Sequence, residues 1–194
     1  STDRAMPAKK ALVTIAISDA YIQPWKTFCY PGWKQYADKH GYDIVLITNM
    51  LDSGPLGTSR SPSWQRLLIL NHPSIAKYSE VVWMDADIAI NADAAPCIVD
   101  CSSAVAGSEE TVGVVLDVPT GDTNSALEAA INKRQGELKQ TLNQGRTWRD
   151  MYRLNGLATD LDVGFNAGVM VLRPSQHSNL LREVYEQYRQ TPNS

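Results

Sequence analysis

The sequence predicts an α/β fold built on an open, mostly parallel sheet. Three observations lead there: short apolar runs rich in β-formers, amphipathic stretches between them, and their alternation as strand, helix, strand, helix, strand over about the first 85 of 194 residues. Alternation of this kind builds parallel βαβ units with right-handed crossovers. A domain holds ~100 to 200 residues, so a chain of this length is expected to be one domain. It can bury ~70% of its unfolded surface without a disulfide or metal staple.

Residues 11–17 (ALVTIAI) read as a first strand, apolar throughout as a strand covered on both faces must be, and Ser18-Asp19 bounds it. A helical stretch follows. Pro24 suits a first turn, Trp25, Phe28, Trp33, Tyr36, Ala37 and His40 recur at roughly i, i+3, i+4, Pro31 is expected to kink the middle, and Gly41 supplies a stop. Residues 43–48 (DIVLIT) form the second strand. The Gly-, Ser- and Pro-rich residues 49–61 form a loop, after which Ser61 caps and Pro62 opens a helix through Trp64, Leu67 and Leu68 toward Tyr78, broken near Pro73. Residues 81–84 (VVWM) are the third strand.

Two more strands are read at 111–118 (TVGVVLDV) and 168–172 (GVMVL). Between them, residues 124–153 are polar and helical in composition, with Ala126, Leu127, Ala130, Ile131, Leu138 and Leu142 as a thin apolar stripe. An α/β enzyme builds a lid or an acceptor site in such an insertion. Ser175 is expected to cap a final helix through Leu180, Leu181, Val184, Tyr185 and Tyr188. No internal repeat or linker divides the chain.

Eighteen Lys and Arg against 21 Asp and Glu give a net charge of −3 with the basic residues scattered, which excludes a general nucleic-acid surface. Hydrophobic content of 43% and charged content of 20% fit a globular protein. The longest apolar runs fall far short of the ~20 residues of a membrane span. Residues 1–10 are polar and hold no signal-peptide core. The compartment stays open, with a cytoplasmic domain expected ahead of a lumenal one cut from its anchor. Cys29, Cys97 and Cys101 form no Cys-x-x-Cys pair. Cys97 and Cys101 read as helix neighbours, and all three as buried thiols.

The most informative segment is 78–90 (YSEVVWMDADIAI), where an apolar strand runs into Asp85 and Asp87. Alternate residues of an extended chain project to one side, so the two carboxylates are expected to converge at the carboxyl end of a central strand, the edge of an open α/β sheet that binds ligands. Two like charges there call for a hard divalent cation, Mg²⁺ or Mn²⁺, which keeps positions open for phosphate oxygens. A nucleoside-diphosphate leaving group needs such an ion, because charge builds on its terminal phosphate as the bond breaks.

With its company, this segment resembles the nucleotide-sugar glycosyltransferases of the GT-A fold, close to the glycogenin and lipopolysaccharide galactosyltransferase type (family 8) and the related galactomannan-type galactosyltransferases. Four segments carry the resemblance in the family's order. Ile15 to Pro24 (IAISDAYIQP) is similar to the family's first strand and Asn/Asp-Ala-Tyr turn, which implies that Tyr21 stacks on uracil, that Asp19 bonds base or ribose, and that Ser18 lines the same turn. Trp64-Gln65-Arg66-Leu67 resembles the family's basic helix start, whose side chain reaches phosphate or donor sugar; the Arg66 guanidinium suits that task. Asp85-Ala86-Asp87 is the third, with both aspartates as metal ligands and Ala86 beside the donor. Phe165-Asn166-Ala167-Gly168-Val169 is the fourth, implying that Asn166 and Ala167 contact the donor sugar.

Asp117, after residues 113–116 (GVVL), resembles the family's acidic residue that faces the acceptor. The resemblance therefore implies a GT-A sheet with helices on both faces and a metal-dependent transferase with Asp85, Asp87 and Asp117 as its catalytic carboxylates. The donor would be a UDP-sugar and the acceptor a glycan or glycoprotein, with no nucleic acid. The family's Asp-Gln pair and metal-binding His come after the last helix; Ser194 ends this sequence before both, and His177 lies too early to replace the latter. The expectation is an excised part of a longer polypeptide, or a shortened variant whose metal is completed by phosphate and water.

Haloacid-dehalogenase phosphatases place Asp-x-Asp on the first strand and follow it with Thr; here Ile88-Ala89 follow. Nucleotidyltransferases need a Gly-rich loop after the first strand, and residues 18–22 (SDAYI) have no glycine. Rossmann dehydrogenases need Gly-x-Gly-x-x-Gly, which is absent. The remaining rival is a catalytically inert nucleotide-sugar-binding module of a larger glycan-assembly protein.

Overall fold

The computed structural model describes residues 9–106, 110–116 and 147–188. Strands β1 (Lys10–Ile15), β2 (Tyr42–Ile47), β3 (Glu80–Met84), β4 (Gly113–Leu116) and β5 (Phe165–Leu172) form one sheet in the order β2-β1-β3-β5-β4. β1 pairs in parallel with β2 and β3, with Leu12 opposite Ile44 and Val82, while β5 runs antiparallel to β3 with Met84 opposite Val169. The predicted α/β class holds, and each predicted strand is present to within a few residues; positions 117 and 118 of the fourth lie outside the described residues.

By its contacts the chain falls into two compact units, Ser1–Val114 with Gly168–Ser194, and Val115–Ala167. In the first, the period-2 alternation of the strands sorts side chains onto two apolar layers. Leu12, Val82, Met84 and Val171 face the layer that buries Trp33, Tyr36 and Val99. Ala11, Val13, Val81, Trp83, Met170 and Leu172 face the layer that buries Ile69, Leu70, Ile75 and Leu181. Both faces are thus covered, one by α2 (Tyr30–His40) and α4 (Ile98–Val105), the other by a 3-10 helix (Pro62–Asn71), which the short α3 (Pro55–Thr58) precedes, and the final helix, α6 (Pro174–Gln187). In the second unit, α5 (Trp148–Leu154) starts at a capping box between Thr147 and Asp150, and the Tyr152 hydroxyl donates to the Val163 carbonyl at 2.7 Å. The rest of the predicted insertion, 124–146, lies outside the described residues.

Several local expectations are corrected. The first helical stretch begins at Asp19, so Pro24 ends α1 (Asp19–Pro24) instead of opening a helix. A π turn (Trp25–Cys29) then joins α1 to α2, with the Tyr30 N–H bonded to the Trp25 carbonyl. The widened turn passes the chain to Pro31, which has no N–H to give to an α-helical bond. Gly41 does stop α2, in the left-handed conformation at φ 73° and ψ 46°. The segment after Ser61 is wound as a 3-10 helix, its Ser61 cap accepting from the Ser63 N–H as expected.

Ser175 does not cap α6. Pro174 holds the first helical position and Arg173 the cap, whose N–H is satisfied by Nδ1 of His177 at 2.8 Å. The other ring nitrogen of this buried histidine donates to the Glu110 carbonyl at 2.9 Å. Cys29 and Cys97 are buried free thiols, but Cys101 is exposed. Cys97 caps α4 and its carbonyl accepts from the Cys101 N–H at 3.0 Å, so the two stand one helical turn apart as read, and only the burial of Cys101 departs from the expectation. Among the described residues no helix is long and apolar enough to cross a membrane.

Candidate functional site

The carboxyl ends of β1 and β3 lie side by side, because the two strands are parallel and in register from Lys10 opposite Glu80 to Val13 opposite Trp83. What leaves these ends forms the candidate site. From β1 the chain turns through Ser18, at φ 73° and ψ 157°, a region that L-residues with side chains rarely occupy. That turn lets the Ser18 carbonyl accept from the N–H groups of Tyr21 and Ile22, which starts α1 and leaves the Tyr21 ring 67% exposed. Asp19 is exposed in the first turn of α1.

From β3 the chain reaches Asp85, whose N–H is bonded to the Gly168 carbonyl at 2.8 Å and so extends the pairing with β5 by one residue. The strand does not continue to Asp87. The Ile88 N–H closes back on the Asp85 carbonyl at 3.1 Å, so residues 85–88 form a tight turn and the expected extended alternation of the two aspartates is not realised. Asp85 instead shares a side with Trp83, two residues earlier, and the indole N–H donates to Asp85 Oδ1 at 3.1 Å. The same oxygen lies 3.3 Å from Nη1 of Arg66, in an ion pair whose side chains are 20% and 35% exposed.

Arg66 reaches Asp85 because the 3-10 helix has three residues per turn, which aligns Ser63 with Arg66 and lets Nε donate to the Ser63 carbonyl at 2.8 Å. Its guanidinium also lies over the Trp83 ring, 5.6 Å from the centroid. The helix is fixed by Gln65, which is buried and accepts from the N–H groups of Leu51 and Asp52.

The segment after Asp85 is braced by α2. The Trp33 indole donates to the Ile88 carbonyl at 2.8 Å, Lys39 to the Ala92 carbonyl at 3.0 Å, and Gln35 to Asp93 at 2.9 Å. Gly32 permits this approach, since a Cβ there would stand 2.5 Å from the Ile90 carbonyl oxygen. Ala86 packs partly buried against the same layer. Asp87 is exposed and close enough to Cys29 that its charge, after burial itself, pushes the thiol pKa up. Thus the two carboxylates have different company: Asp85 an arginine and an indole, Asp87 the neighbourhood of the π turn.

Among the described residues no group of three or more His, Cys, Asp or Glu forms a ready metal cage. Two aspartate carboxylates on one turn do match the way Mg²⁺ and Mn²⁺ bind with substrate, through one or two carboxylates and the phosphates. The donor chemistry fits. Of the other residues singled out from the sequence, Asn166 and Ala167 lie exposed in β5 within the unit Val115–Ala167, and Asp117 lies outside the described residues. Trp83 escaped the sequence reading, although its position two residues before Asp85 already placed both on one side of the strand. The Ser18 backbone had no signal in the residue type, and Gly32 had only its place beside Pro31.

No family model matches the sequence, and no curated protein matches it. Solved structures do. The chain is similar to a glycosyltransferase involved in the glycosylation of the major capsid of PBCV-1, at 11% identity and a TM-score of 0.51, with 95% of this chain and 69% of that one covered. It is also similar to the WbbM bifunctional glycosyltransferase in its apo form, at 15% identity and a TM-score of 0.54, with 94% of this chain and 35% of that one covered. At such identities the likeness is one of architecture, and with the sheet order and two covered faces it establishes a GT-A type α/β fold.

Proposed function

We propose that the chain is a metal-dependent glycosyltransferase of the family 8 type, working as one domain that moves a sugar from a UDP-linked donor to a glycan or protein-linked acceptor. The observation that carries this reading is the meeting of Arg66 with Asp85 at the carboxyl edge of the sheet. A phosphate-binding cation and a metal-binding carboxylate there are what a nucleoside diphosphate requires. The fold shared with solved glycosyltransferases supports it.

In this reading Asp85 and Asp87 hold Mn²⁺ or Mg²⁺, which supplies neutralising charge for the diphosphate as it leaves. Arg66 pairs with phosphate oxygens and, tethered through Nε to Ser63, holds them in one orientation. Trp83 fixes the rotamer of Asp85 through its indole bond, so the carboxylate is ordered before substrate arrives. Tyr21, with most of its ring exposed, offers a stacking face for the uracil. Resemblance to the retaining members of the family implies transfer with retention.

The test is UDP release from UDP-sugars in the presence of Mn²⁺. Slow hydrolysis or transfer, lost in Asp85→Ala and Asp87→Ala, is the expected result. Binding without any UDP release would favour an inert donor-binding module. UDP should raise the melting temperature only when metal is present, so equal stabilisation with and without EDTA would sink the metal part of the reading.

A further inference from the structure

A divalent cation held by Asp85 would compete with Arg66 for one carboxylate. Oδ1 of Asp85 already accepts from the Trp83 indole and lies 3.3 Å from the Arg66 guanidinium. A metal bound to that oxygen at ~2.1 Å would sit within roughly 5 Å of the arginine nitrogen, two cations against one carboxylate. The pair is partly shielded from solvent, so screening only weakens that repulsion. A diphosphate removes the conflict, since its oxygens can accept from the guanidinium and ligate the metal together.

We propose that Arg66 is the built-in counter-ion of Asp85, displaced toward phosphate when a nucleoside diphosphate binds, so that metal and nucleotide enter the site as a strongly coupled pair. The inference rests on the metal-nucleotide reading above. The geometry suits an exchange of partners: Nε stays on the Ser63 carbonyl and the guanidinium remains over Trp83, while a terminal nitrogen trades Asp85 for phosphate. Arg66 therefore weakens metal binding in the absence of nucleotide and strengthens it in its presence. By linkage, the metal raises nucleotide affinity by the same factor.

The experiment measures free Mn²⁺ by electron paramagnetic resonance, with the intact chain, with and without UDP, after subtraction of the Mn²⁺·UDP complex formed in solution. Wild type is compared with R66Q and with R66M, which keeps the aliphatic stem against Trp83 should glutamine disturb folding; circular dichroism verifies both. Opposite changes are expected: Mn²⁺ alone binds about threefold to tenfold more tightly in the variants, and UDP at saturating Mn²⁺ about tenfold more weakly. A purely structural arginine would loosen both. If metal-dependent UDP binding persists in wild type and the variants bind Mn²⁺ alone no more tightly, the counter-ion role is overturned and the glycosyltransferase reading stands. If wild type binds UDP equally with and without Mn²⁺, both fail.

Discussion

Ser18 holds a backbone conformation that glycine would adopt without strain, at the point where β1 gives way to α1. Such conformations cost about 1–3 kcal/mol, against roughly 0.5–1 kcal/mol for the added freedom of an unfolded glycine. Ser18→Gly should therefore raise stability by about 1 kcal/mol in urea unfolding, and Ser18→Val should lower it. Trp83 is the other residue whose role lies in a single atom. Trp83→Phe keeps a ring in the core but withdraws the N–H from Asp85 Oδ1, and a bond to a charged group contributes ~1.5–3 kcal/mol. A urea midpoint unchanged in Trp83→Phe would show that the indole bond does not hold the carboxylate. The identity and spacing of Asp85, Asp87 and Arg66 were legible in the sequence. Their partners were not: an ion pair between a 3-10 helix and a strand end is fixed by packing, which no local pattern encodes.

Among the elements, α2 does most to shape the site. Its aromatic face is readable from spacing alone, and Trp33, Tyr36 and Ala37 are all buried as that spacing requires. Its bracing of the Asp85–Ile88 turn depends on Gly32, where an added methyl would meet a carbonyl oxygen at 2.5 Å. Gly32→Ala should cost about 1–3 kcal/mol of stability, as overpacking does. Under the proposed function it should also weaken the metal-dependent UDP binding expected there, because the displaced segment is the one that carries Asp87. Normal UDP affinity in a folded Gly32→Ala protein would separate the brace from the site. Where the sequence reading of elements failed, the cause was competition between local signals: Ser175 is a good cap by type, yet Pro174 took the first helical position and His177 supplied the missing acceptor. The π turn arose likewise, from a proline inside an otherwise helical period.

Across the whole molecule, buried tyrosines hydrogen-bond to carboxylates far from them along the chain. Tyr185 donates to Asp52 and Tyr78 to Asp43, each at 2.7 Å. Burial first, and then the carboxylate partner, pushes each phenol from an ordinary 10.0 up to about 12, while burial first and then Cys97 raises Tyr42 as well. A phenol whose pKa is raised on folding contributes stability that is whole below pH ~10 and drains away as pH climbs toward 12, because the unfolded chain ionises first. Unfolding free energy should thus fall steeply between about pH 10 and 12. Tyr185→Phe should be less stable at neutral pH by about 1 kcal/mol, for the lost bond to Asp52, and show a shallower alkaline decline. An alkaline slope identical to wild type would remove Tyr185 from this linkage. Asp52, drawn below the usual carboxylate range first by the Tyr185 hydroxyl, adds the opposite dependence in acid, with stability present above its ordinary pKa and lost as pH falls through the lowered one.

The sequence by itself determined the fold class, the positions of the strands and the two carboxylates at the end of β3, because apolar period and chain order are local properties written residue by residue. Only the tertiary structure decided that the strand ends at Met84, that Asp85 turns to Arg66 and Trp83, and that Asp87 lies toward the π turn. Those outcomes follow from which helix covers which face of the sheet. That is settled by long-range packing and the satisfaction of buried polar atoms, not by the residues on either side.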